Sequence, residues 1–343
     1  MNRYHRQILL SQIGEVGQQK LSAARVLLVG CGALGCHIAD QLARAGIGYL
    51  RIVDRDIVEW TNLQRQILFD ESHAKKNWPK ALAAKKRLRR INSQITIDAH
   101  PTDFNSANAV ALADGMHLIL DGTDSVATRY LINDVAVKLQ TPWIYGACVG
   151  TEGRVMGIWP GQSACLRCVF PDPPDAQTLA TCDTAGILAA AAAVVASLQV
   201  TRAIQLLTGD IDSAVNSMLS IDVWKNSFRS ISLADARRSD CPCCALHQFD
   251  FLARRSESTV TLCGRDAVQI AGEIVGHRAI HLPAIAETWK KIGTVETNKY
   301  FLRCTLTDPA GIKLTLFADG RLIVQGTRDL NRAKAIYAKF VGN

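Results

Sequence analysis

Arg25-Val26-Leu27-Leu28-Val29-Gly30-Cys31-Gly32-Ala33-Leu34-Gly35 is the stretch on which the fold turns. Its first five residues read as a buried strand, and the amphipathic run from Ala33 to Ala45 reads as a helix, with glycines between them. Gly30, Gly32 and Gly35 have separate tasks: a tight turn, close backbone approach to phosphate, and close packing of helix on strand. Phosphate oxygens would then face the free N–H groups at the helix start. A second strand, Tyr49 to Val53, delivers Asp54 nineteen residues after Gly35, where a carboxylate can accept from ribose hydroxyls. The layout accommodates a bound adenosine.

Outward from this unit, strands are expected at Gln94 to Ala99, Met116 to Asp121, Pro142 to Val149 and Glu152 to Trp159, with a helix over Val126 to Leu139. Strands and helices alternate early and strands pair later, so the expected class is α/β: a Rossmann-like, mainly parallel sheet with an antiparallel extension near Ser217 to Leu233. The apolar, alanine-rich run Ile187 to Val200 is too short for a membrane span, which needs ~20 residues. It is expected to lie buried or at a subunit contact.

A glycine turn alone favours a nicotinamide or flavin enzyme. The stretch Asn62-Leu63-Gln64-Arg65-Gln66 points elsewhere, with Lys80 at the start of a helix after Pro79 and Asp124 beyond the strand ending at Asp121. Two cations and an acid would surround one phosphate chain.

From Arg3-Tyr4-His5-Arg6-Gln7 through the glycine turn, Asp54, Asn62 to Gln66, Lys80, Asp121-Gly122-Thr123-Asp124 and two Cys-x-x-Cys pairs, the chain resembles the adenylyltransferases that activate ubiquitin-like sulfur carrier proteins. This family holds the molybdopterin-synthase and thiamine-biosynthesis activators and is related to ubiquitin-activating enzymes. The resemblance spans roughly residues 1 to 248. It implies that ATP phosphates are held by Asn62, Arg65 and Lys80, the ribose by Asp54, and Mg²⁺ by Asp124, while Arg6 serves the neighbouring subunit of a homodimer. The C-terminal glycine carboxylate of a small carrier ending in Gly-Gly would attack the α-phosphorus. Fixed positive charge relieves the repulsion between the two anions. Sulfur would come from a donor such as a cysteine desulfurase or rhodanese.

Cys165-Leu166-Arg167-Cys168 and Cys241-Pro242-Cys243-Cys244 lie 72 residues apart, and four converging thiolates make a closed, structural Zn²⁺ site. Cys165, Cys168, Cys241 and Cys244 are the expected ligands, with Cys243 the spare. The alternative is a disulfide pair or unrelated buried thiols. Cys182 stands where thiamine-pathway relatives carry a sulfur-handling cysteine and ubiquitin activators a thioester cysteine; a helix start would lower its pKa. Both a working and a merely loop-borne thiol remain open for it. Ala33, Ser125 and the pair Ala189-Ala190 depart from the family pattern, the last beside Cys182.

The polar N-terminal stretch Met1 to Gln7 carries no signal-peptide pattern, and an odd count of 11 cysteines suits a reducing compartment, so a cytoplasmic location is expected. Net charge is +8, with eight Lys or Arg and no acid from His73 to Arg90. A solvated helix face accounts for most of that run, and it can steer an acidic carrier. No aromatic-rich basic platform accompanies it, so nucleic-acid binding is not expected.

An ATP-binding domain is expected over 1–248 and a small α+β appendage over 249–343, after a charged linker at Arg254 to Ser258. The appendage should hold strands Lys299 to Thr307, Ile312 to Phe317 and Arg321 to Gly326, a helix around Ala267 to Val275, and a last helix Leu330 to Phe340 capped by Asp329. Cys263 is its one candidate working thiol. Two rival classes share the fold: a nicotinamide-dependent dehydrogenase, which has no use for Arg6, Arg65, Lys80 and Asp124 together, and a noncatalytic carrier-binding scaffold, which could dispense with them. A tRNA-modifying dehydratase branch shares the adenylation fold, but the cysteine pairs favour the sulfur-carrier branch.

Overall fold

A computed structural model describes residues 3–174, 185–254, 259–262, 266–270, 280–298, 300–318 and 320–341. The chain divides into two compact units, Met1–Arg255 and Ser256–Asn343. Cys182 and Cys263 lie outside the described residues, as does most of the expected linker.

The first unit is built on one eight-stranded sheet. Its strands are β1 (Arg25–Val29), β2 (Tyr49–Val53), β3 (Thr96–His100), β4 (Leu118–Asp121), β5 (Trp143–Val149), β6 (Glu152–Ile158), β7 (Ser217–Asp222) and β8 (Ser227–Ser232). They run in the order β3-β2-β1-β4-β5-β6-β7-β8. The five from β3 to β5 pair in parallel, and β5 to β8 pair antiparallel. Chain order reverses between β1 and β4, the place where open α/β sheets bind ligands beyond their carboxyl ends. Val26, Leu27, Leu28 and Val29 are all buried because helices cover both faces of this part of the sheet, which divides two apolar cores.

The alanine-rich segment forms a longer helix than its apolar run suggests, Ala189–Thr208. By length and composition alone its 20 residues suffice to cross a membrane, with a mean hydropathy of 1.5, so the sequence argument from shortness fails. The helix instead packs on β5, β6 and the Ala33–Ala45 helix. Small residues let it come close: a Cβ on Gly153 would stand 2.1 Å from Val195 Cγ2, and one on Gly146 2.2 Å from the Gln199 amide. The helix Asp250–Ala253 belongs to this first unit, where the Phe251 N–H donates to Asp134 Oδ2 at 2.8 Å.

The second unit carries a six-stranded antiparallel sheet of β9 (Thr259–Leu262), β10 (Ala267–Ile270), β11 (Gly293–Thr297), β12 (Phe301–Leu306), β13 (Lys313–Phe317) and β14 (Leu322–Gln325). Ala267–Ile270 is therefore a strand, correcting the expected helix there; residues 271–275 lie outside the described residues. With β9 on one side and β14 on the other, cross-strand pairing overrides local preference. Two helices, Leu282–Trp289 and Leu330–Phe340, pack with the sheet around Trp289, Leu302, Leu314 and Val324. Asp329 caps the last of them, accepting from the Asn331 and Arg332 N–H groups.

Candidate nucleotide pocket and cysteine cluster

The glycine turn is shaped by contacts that only glycine permits. Gly30 has φ +88°, and a Cβ there would lie 2.7 Å from the Gly122 carbonyl carbon; one on Gly35 would lie 2.1 Å from Gly30 O. Gly32 differs, since an added Cβ would meet nothing nearer than Gly122 O at 3.9 Å. Its open side leaves the backbone approachable, and the Ala33–Ala45 helix begins there with no side chain capping its first N–H groups. Gly35→Ala should therefore lower unfolding stability by about 2 kcal/mol or more by forcing strand and helix apart, whereas Gly32→Ala should leave the denaturation midpoint near that of the parent and weaken nucleotide binding.

Asp54 is buried, and its carboxylate accepts from the Cys31 N–H at 2.6 Å and the Asp56 N–H at 2.7 Å. It thus braces the glycine turn, while each oxygen keeps acceptor capacity for a ribose hydroxyl. Burial pushes its pKa up, against the pull of Lys80. Lys80 itself is only 4% exposed, and its Nζ donates to Asp56 Oδ2 at 3.1 Å. Burial alone would lower the ammonium's pKa, but Asp56, Asp54 and Asp124 more than offset it, so Lys80 is held charged. A buried cation thus stands close to Asp54, the carboxylate that braces the glycine turn. Asp56 is the residue here that sequence reasoning missed. Its place two positions after Asp54, just past the end of β2, was the available signal.

Asn62 is buried for a local reason. Its Oδ1 accepts from the Glu59 N–H at 3.0 Å, closing a capping box around the short helix Trp60–Asn62. Its carbonyl accepts from the N–H groups of Arg65 and Gln66, and the Arg65 guanidinium donates to Thr61 O at 2.8 Å. None of these bonds joins Asn62 or Arg65 to Lys80. Arg6 is exposed on the helix His5–Ile8 and takes no part in the bonds of this pocket described above.

Across the turn, Asp121 is fully buried and Asp124 is exposed. Asp121 accepts from the Thr123 N–H at 2.9 Å and from Arg129 Nε at 3.0 Å; Arg129 also donates to Thr123 O at 2.8 Å and to Gly146 O at 3.1 Å. Asp124 lies near enough to Lys80, Arg55 and Arg129 to contribute, after their closer partners, to keeping these cations charged. Ser125 takes a cap position, its Oγ accepting from the Thr128 N–H at 3.3 Å, which explains how serine serves where asparagine is frequent.

The sulfurs of Cys165, Cys168, Cys241 and Cys244 lie within 4.8 Å of one another and all four residues are buried. Pairs stand at 3.6 Å (Cys165–Cys241), 3.4 Å (Cys168–Cys244) and 3.9 Å (Cys165–Cys168), near the ~3.8 Å that four Zn–S bonds of ~2.3 Å require of a tetrahedron. The donor set fits zinc. Cys243 is not one of the four: its Sγ donates to Asp134 Oδ1 at 3.4 Å and accepts from Asn133 Nδ2 at 3.1 Å. Asn133 Oδ1 accepts in turn from the Leu166 N–H at 2.9 Å, tying the first cysteine pair to the Val126–Leu139 helix.

A model described as the ThiF family matches residues 4–243. The chain belongs to the ThiF family. This ThiF-family chain is 42% identical over 342 residues to the sulfur carrier protein ThiS adenylyltransferase of Bacillus subtilis (strain 168), covering 99% of both chains. It is 36% identical over 249 residues to a sulfur carrier protein adenylyltransferase of Thermus thermophilus, covering 71% of this chain and 90% of that one. With the adenylyltransferase and sulfurtransferase MOCS3 of Culex quinquefasciatus it shares 39% identity over 243 residues, which is 71% of this chain and 55% of that one. Among solved structures, E. coli MccB superposes with a TM-score of 0.62 at 24% identity, covering 71% of this chain and 74% of that one; this establishes the shared fold.

Proposed function

We propose that this ThiF-family enzyme adenylates the C-terminal glycine carboxylate of a small ubiquitin-like sulfur carrier protein, releasing pyrophosphate and preparing the carrier for sulfur transfer or conjugation. The observation that carries the reading is Lys80, a buried cation kept charged by Asp56, Asp54 and Asp124 beside a glycine turn with an open phosphate face. A hydride-transferring enzyme would not need it. Lys80, Arg65 and Asn62 hold the ATP phosphates, Asp54 the ribose, and the N–H groups at Gly32 and the following helix start meet phosphate oxygens. Asp124 is the protein ligand for Mg²⁺, an ion that commonly takes one or two carboxylates and completes its shell with phosphate and water. When bound, Mg²⁺ neutralises and orients the phosphate oxygens. No side-chain nucleophile is needed, because the carrier's own carboxylate attacks.

The four-cysteine cluster holds structural Zn²⁺. Arg6 acts across a homodimer, completing the neighbouring site. Cys182 then serves as a candidate thiol for sulfur handling, with a cysteine desulfurase or rhodanese as donor class. Likeness over nearly the whole length to a ThiS adenylyltransferase makes a ThiS-type carrier the first to assay.

The test is exchange of labelled pyrophosphate into ATP by the purified chain with Mg²⁺ and a carrier ending in Gly-Gly. Exchange is expected only when the carrier is present and is expected to vanish when its last glycine is deleted. Arg65→Ala should lower exchange by about 10²-fold. Carrier-independent nicotinamide binding with no exchange would replace this reading by the dehydrogenase one.

A further inference from the structure

The hydrogen-bonded ladder between β4 and β5 contains only Ile119↔Trp143 and Leu120↔Ile144. Beyond it, side chains take over the joining. The Asp121 carboxylate receives the Thr123 N–H and Arg129, and one terminal nitrogen of Arg129 donates to both Thr123 O and Gly146 O. Gln199, fully buried on the Ala189–Thr208 helix, donates to Asp121 O at 2.8 Å. The other side of the loop is closed by glycine packing, since a Cβ on Gly122 would lie 2.5 Å from Gly30 O. Residues 122–124 are thus fixed between the glycine turn and β5, and their one exposed carboxylate belongs to Asp124.

We infer that Asp121 and Arg129 are positioning residues for the reaction: their buried pair sets the loop that aims Asp124 at the metal–triphosphate complex. This rests on the adenylation reading above. A buried ion pair is a weak source of net stability, and the bonds here go to the backbone of the loop at Thr123 and of the adjoining strand β5 at Gly146. Lysine at 129 would keep the charge but lose the planar fork that reaches Asp121, Thr123 and Gly146 at once.

The experiment measures binding of a non-hydrolysable ATP analogue to the full-length chain by calorimetry, with and without Mg²⁺, alongside pyrophosphate exchange and melting temperature. Wild type should bind the analogue about tenfold more tightly with Mg²⁺. Arg129→Lys should bind within twofold of wild type without Mg²⁺, lose most of the Mg²⁺ enhancement, and exchange 10- to 100-fold more slowly, the same pattern expected of Asp124→Ala. Gln199→Met, which removes the brace on Asp121 without touching a charge, should shift the Mg²⁺ response in the same direction by about threefold, and it decides the matter if Arg129→Lys fails to fold. A full Mg²⁺ enhancement in both folded variants, even with a lowered melting temperature, would reduce the pair to a structural bond and overturn the inference. Absence of any Mg²⁺ enhancement or exchange in wild type would instead strike the adenylation reading itself.

Discussion

Alanine in place of Lys80 is expected to slow carrier-dependent pyrophosphate exchange by about 10²- to 10³-fold, the cost of removing one preorganised charge from a water-poor site. Two effects combine. The triphosphate loses a cation held at the turn, and the carboxylates of Asp54 and Asp56 lose the charge that balances them. An uncompensated anion at such depth repels ATP strongly, because Coulomb energies grow as the effective dielectric constant falls. Lys80→Ala/Asp56→Asn should consequently recover part of the loss, about tenfold, even though it removes a second side chain. Arginine should not substitute, since a 4%-exposed site built around an ammonium leaves little room for a guanidinium. Steady-state exchange with varied ATP checks each variant. Rates within threefold of the parent for Lys80→Ala would remove the residue from the phosphate site.

Loss of the proposed zinc site is the second large effect. Cys168→Ala should abolish bound zinc, measured by elemental analysis, and lower the melting temperature by roughly 10 °C or more, because binding at a structural zinc site is itself folding free energy. The cluster joins two segments 72 residues apart in sequence, one after β6 and one after β8, so its loss frees both. Cys243→Ser provides the internal contrast. Its sulfur is bonded to Asn133 and Asp134 and stands outside the four-sulfur group, so serine should leave the zinc content unchanged. Zinc-free wild type with an undiminished melting temperature would refute the assignment.

Much of this arrangement was legible because local rules and the fold agree. The Val126–Leu139 and Leu330–Phe340 helices fall on the boundaries that their periodicity and caps imply. The cysteine pairs were readable because Cys-x-x-Cys spacing brings two thiolates to one ion, although spacing does not say that the two pairs meet. Ala267–Ile270 is not legible in the sequence because four residues carry too little periodicity; strand pairing on both sides decides them. The alanine-rich helix was read as shorter than it is, its polar-spotted second half from Thr201 to Thr208 being held in place by packing.

By itself the sequence determined the strand–turn–helix unit, the order of the charged motifs and the two Cys-x-x-Cys pairs, each motif written within a few consecutive residues. Only the tertiary structure decided that Asp56 is the partner of Lys80, that Asp54 braces the turn as well as facing it, and that Arg129 and Gln199 hold Asp121 and the loop that follows it. The reason is physical: hydrogen bonds and charge balance depend on distances between residues 8 to 78 positions apart in the chain, and those distances exist only once the sheet and its covering helices have packed.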